Sequence, residues 1–181
     1  CQSPGPDDSS ADDCSSTEWV QADAMAEECR CQPERTVLGT GITSFEPFPP
    51  DGVSMVHGPQ GGWHFPAAVR VDNSLDVVTI RTMVYDEETS TPLTNLQEIR
   101  VRLVTDGACT GYYANLILYL DHAQLAPDRP FTDLPAVLSC REVVVNICVE
   151  DERGWEGCSD AVVLMRPDLN DVESGLVEGC P

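Results

Sequence analysis

EVVVNICVEDERGWEGCSDAVVLMR, residues 142–166, decides the fold class. Two runs rich in Val and Ile flank Asp151-Glu152-Arg153-Gly154, a stretch with turn chemistry. We expect strands over 142–149 and 161–166, joined as an antiparallel hairpin. Opposed residues of such a hairpin share a constant index sum. A turn centred between Arg153 and Gly154 gives 307, and Cys148 with Cys158 gives 306. The two cysteines are therefore nearly opposite, and a cross-strand bridge is feasible in a non-hydrogen-bonded pair.

The same period-two pattern runs back to Thr36. It predicts strands near 53–56, 64–71, 77–86, 98–105 and 114–121, with breaks at Asp72-Asn73-Ser74, Asp106-Gly107 and Ala126-Pro127. About seven short strands with Pro-rich connections imply an all-β domain over 36–181, an antiparallel β-sandwich. A jelly roll or an open barrel has the same signature. The 142–166 hairpin resembles the terminal hairpin of bacterial Ig-like domains, which implies an Ig-like sandwich.

The N-terminal part reads differently. Residues 2–13, QSPGPDDSSADD, carry charge and almost no apolar surface, so a flexible tether is expected. Extended, it reaches about 40 Å. Residues 14–35 form a Cys-rich appendage. Ser15 and Glu18 fit a capping box, and Trp19, Ala22, Ala26 and Cys29 fall on one stripe, which predicts a short helix with Trp19 against the main domain.

The chain of 181 residues holds 31 acidic residues, 10 Arg and no Lys, a net charge of −21. That field repels phosphate backbones, so nucleic acid is excluded as a partner. Lysine-dependent chemistry is excluded with it. Gly-x-Ser-x-Gly, Ser-x-x-Lys and His-Glu-x-x-His do not occur, and the chain is read as a non-enzyme. The acidic clusters at 86–88, 150–152 and 168–171 are read as solvated turn charges, since none has calcium-loop spacing.

Nine cysteines, with no C-x-x-C pair, point to an oxidising compartment. Cys1, followed by a Pro/Gly/Ser/Asp stretch, resembles the start of a processed bacterial lipoprotein. That resemblance implies a signal peptide removed before Cys1, diacylglycerol on its sulfur, and an acyl chain such as palmitate on its amine. Two or three chains anchor a domain durably. Gln2 leans towards the outer membrane over the inner one, with the domain periplasmic or surface-exposed and an envelope protein as partner. Cys14, Cys29, Cys31, Cys109, Cys140, Cys148, Cys158 and Cys180 then remain for four disulfides. Three lie in the appendage and five beyond it, so an odd number of bridges joins the two parts.

One stretch suggests a site: MVHGPQGGWH, residues 55–64. It is similar to a segment of uncharacterised lipoproteins of high-GC bacteria. A Gly-rich loop between His57 and His64 is able to bring both imidazoles to one ion, with Met55 two residues before His57 on the same strand face. Thioether with imidazole suits copper. Met83 and His122 are further candidate ligands. The alternative is a bulged turn with no ion. The expected function is therefore a lipid-anchored interaction or structural module, with copper binding through Met55, His57 and His64 as the second reading.

Overall fold

The computed structural model describes residues 35–59, 62–107 and 109–180. The tether, the predicted helix, Cys1, Cys14, Cys29 and Cys31 lie outside the described residues, as do Gln60 and Gly61.

The described chain is mostly β. Its strands are β1 (Arg35–Gly39), β2 (Val53–Ser54), β3 (Val56–His57), β4 (Trp63–Asp72), β5 (Val77–Asp86), β6 (Gln97–Arg102), β7 (Val104–Thr105), β8 (Thr110–Tyr119), β9 (Glu142–Asp151) and β10 (Glu156–Arg166). A 3-10 turn (Phe131–Asp133) and two one-turn α-helices, α1 (Leu134–Leu138) and α2 (Leu169–Glu173), complete it. No described helix is long and apolar enough to cross a membrane.

Two sheets form. One runs β1-β4-β8-β7, with β3 sharing the β1 edge of β4; the other runs β2-β10-β9-β5-β6. Their inward residues make one core. Phe65, Ala67, Val69 and Val71 of β4 face it from the first sheet, and Val78, Ile80 and Val84 of β5 with Val143, Val145, Ile147 and Val149 of β9 from the second. Each such side chain, fully buried, contributes about 1.5–3 kcal/mol of transfer free energy. The alternation of β5, intermediate then buried along its whole length, is the period two that the sequence displays.

Ten strands replace the expected seven because two predicted strands are each split and β1 was not anticipated. The chain leaves the second sheet after β2, turns at Met55 and enters the first as β3. It does the same in the same direction between β6 and β7, at Leu103. Met55 and Leu103 are both buried, as apolar residues at the point of crossing must be.

The sheets are also not wholly antiparallel. β2 pairs with β10 in parallel, Val53 opposite Met165 and Ser54 opposite Arg166. Gly52 permits this approach: its φ is +97°, and a Cβ there would stand 2.3 Å from the carbonyl oxygen of Leu164.

Candidate functional site

The expected Gly-rich turn is a hairpin. β3 and β4 are antiparallel, and the Gly58 N–H donates to the Gly62 carbonyl at 2.7 Å. The register sets Val56 opposite His64 and His57 opposite Trp63. His57 and Trp63 thus share one face, and their rings stack with centroids 4.4 Å apart. His64 leaves from the other face, where its ring tilts against Tyr119 at 5.6 Å. Burial lowers the pKa of the His64 imidazole.

The three candidate copper ligands are placed apart. Successive residues of a strand point to opposite faces, so the two imidazoles diverge. Met55 is fully buried in the core. The same-face rule that coupled it to His57 fails because the chain changes sheets at Met55. Met55, His57 and His64 are not brought together. Met83 lies on β5 in the other sheet, and His122 is buried with its ring stacked 6.3 Å from Phe131.

What the structure gathers around His57 is acidic and aromatic. The Trp63 indole Nε1–H donates to Asp171 Oδ2 at 3.0 Å. His57 Nδ1 lies 3.5 Å from the other oxygen of Asp171, whose side chain is 6% exposed. The backbone N–H of His57 donates to Asp168 Oδ2 at 3.0 Å. The other Asp168 oxygen caps α2 by accepting from the Asn170 N–H at 2.8 Å. Burial alone would raise the Asp168 carboxyl, but these donors reverse that and hold it below the usual carboxylate range. Phe131 closes the cluster, tilted on Trp63 at 5.5 Å.

The 168–171 cluster is not the solvated turn charge that its sequence suggests: both of its aspartates are buried. Asp86 and Asp151 are buried too. Asp86 accepts from Thr89 and lies 3.2 Å from Arg141 Nε. Asp151 accepts from the Leu75 N–H and pairs with Arg153. Four acids of the predicted clusters thus tie turns to the sheets. An Asp-x-Asn ahead of a short helix was the available signal for Asp168; none marked Asp171.

The disulfide framework appears as Cys140–Cys180 and Cys148–Cys158. Cys109 is disulfide-bonded as well. Cys148 and Cys158 are direct register partners, as their index sum implied. They lie on the outer face of the second sheet, in a row that continues through Arg81 to Glu98. Arg81 pairs with Glu98 at 2.8 Å, Glu150 at 2.5 Å and Glu156 at 2.9 Å. The hydrogen bonds that its guanidinium donates to Glu98 and Glu150 raise its pKa further. Ligand atoms of Cys148, Glu156 and Cys158 all lie within 4.8 Å of one another.

No family model matches this chain. No curated protein matches it either. Among solved structures it is similar to the solution structure of AT1g01470 from Arabidopsis thaliana, with 12% identity over 67% of this chain and 85% of that one, at a TM-score of 0.45. A likeness of that size carries no argument about function.

Proposed function

We propose that this protein is a lipid-anchored lipoprotein of the bacterial cell envelope, an Ig-like β-sandwich that acts as a non-catalytic interaction or structural module. The observation that carries the reading is the stapling of the described domain by Cys140–Cys180 and Cys148–Cys158. Such bridges persist outside the reducing cytosol. The two sheets over one core support the Ig-like arrangement. The anchor on Cys1, the tether and the short helical appendage rest on the lipoprotein resemblance and the sequence pattern.

The module reading is supported by how the buried acids are used. Asp86, Asp151, Asp168 and Asp171 hold turns, a helix cap and an indole. Groups engaged in this way position the fold. A charge of −21 favours an envelope partner that presents a cationic surface.

The test is made in cells producing the protein with an alkyne-tagged fatty acid in the medium. Label on the peptide containing Cys1 and sedimentation with outer membranes are expected. Cys1→Ser should release a folded, unlabelled protein. An unlabelled, soluble wild-type protein would overturn the reading.

A further inference from the structure

Loop closure assigns the Cys148–Cys158 bridge a small share of the fold's stability. It spans only 10 residues, whereas Cys140–Cys180 spans 40. It also joins two strands whose ladder runs unbroken from Val143 opposite Val163 to Glu150 opposite Glu156. A long ladder holds both residues opposite each other whether or not their sulfurs are bonded. Both point outward, and Cys158 is exposed. Glu156 precedes Cys158 by two residues, on the same strand and face. Around them stand three carboxylates against the single guanidinium of Arg81. That local field favours a cation.

We propose that Cys148–Cys158 is a redox-gated site for a thiophilic divalent cation of the Zn2+ or Cd2+ class, held after reduction by both sulfurs and the Glu156 carboxylate.

In the oxidised protein the sulfurs bond each other and the site is closed. A dithiol reductant opens it. One of its thiolates attacks a sulfur of the bridge and the S–S bond breaks. Its second thiol then displaces the protein sulfur from the mixed disulfide. The reductant leaves as a disulfide, oxidised by two electrons, and its two protons end on Cys148 and Cys158. Cation binding then displaces those two protons to solvent. Two thiolates and a carboxylate suit a borderline-soft ion at about 2.0–2.3 Å, with water completing a tetrahedron. Glu156 leaves Arg81 to reach the ion, and Arg81 keeps Glu98 and Glu150.

The test uses the full chain. Limited reduction with a dithiol, followed by desalting, is expected to free Cys148 and Cys158 first, as read by thiol alkylation and peptide mapping. Titration of that species with Cd2+ should give one ion per chain and a thiolate-to-metal charge-transfer band, both absent from the oxidised protein. Glu156→Gln should weaken binding by about tenfold or more. The double variant Cys148→Ala/Cys158→Ala leaves no lone thiol and should bind no Cd2+ after the same treatment. Freeing of Cys140 and Cys180 ahead of the hairpin pair would overturn the proposal. So would a reduced pair that takes up no more Cd2+ than the double variant, or an unchanged affinity in Glu156→Gln.

Discussion

The indole nitrogen of Trp63 and the carboxylate of Asp171, 108 residues apart in sequence, meet in a buried hydrogen bond of 3.0 Å. That bond pins α2 to the start of β4. Removing the acceptor leaves a buried N–H with no partner. We expect Asp171→Ala to destabilise the domain by about 1–3 kcal/mol in urea unfolding. Asp171→Asn keeps an acceptor oxygen and should cost less. Equal midpoints for wild type and Asp171→Ala would contradict this role.

Acid should weaken the fold in two stages. Burial lowers the His64 imidazole below its ordinary 6.5, so the unfolded chain takes up that proton first. Its contribution is complete above pH 6.5 and declines as pH falls through the histidine range. Asp168 and Asp151 come next. For each, burial alone would raise the carboxyl, but hydrogen bonds outweigh it: from His57 and Asn170 to Asp168, and from Arg153 and Leu75 to Asp151. Their folded pKa values are depressed, so their contribution is present above the usual carboxylate value near 4 and is lost below it. Melting temperature against pH is expected to show both declines. His64→Gln should flatten the first and Asp168→Asn should reduce the second.

Cys140–Cys180 and Cys148–Cys158 should differ in worth. In the loop-closure model, a crosslink spanning about 40 residues outweighs one spanning about 10 by roughly 1 kcal/mol. Cys140→Ala/Cys180→Ala should therefore melt below Cys148→Ala/Cys158→Ala. The reverse order would place unusual weight on the hairpin bridge.

Mapping of the unreduced protein offers a separate check. Four of the five cysteines in residues 36–181 pair among themselves, and Cys109 is bonded too. Parity then leaves Cys109 for the N-terminal cysteines. A Cys109 peptide joined to one from residues 1–34 is expected.

Glycine substitutions separate close approach from backbone strain. Gly52 and Gly154 both have positive φ, at 97° and 84°. Only at Gly52 would a Cβ collide with backbone; at Gly154 nothing lies within 4 Å. Gly154→Ala should cost about 1–2 kcal/mol from conformation alone. Gly52→Ala should cost more, because β2 must also move away from β10. Chemical denaturation of the two variants compares them directly.

Much of this architecture was legible because it depends on neighbours in sequence. β5 starts and ends where its alternation does, at Val77 and Asp86. Cys148 and Cys158 pair because a hairpin fixes its own register. What escaped depends on distant partners. β1 exists because Arg35–Gly39 pairs with the far end of β4. The parallel β2–β10 contact joins Val53 to Met165, and no local pattern marks it. The separation of Met55 from the strand face of His57 escaped for a related reason: strand periodicity does not carry across Met55, where the strand does not continue. Asp171 was invisible because its partner, Trp63, sits in another element.

The chain crosses between sheets at both Met55 and Leu103, each time as one continuous covalent strap. Neither sheet is able to slide over the other, or to peel away as a unit, while both straps hold. Shear between the layers would have to tear the β2–β10 and β3–β4 pairings together, or β5–β6 with β7–β8. The amides of β3 and β7, although their strands are only two residues long, are thereby committed to the opening of the whole domain. Native-state hydrogen exchange should find the Met55 N–H, which donates to the Arg166 carbonyl at 2.7 Å, among the last to exchange.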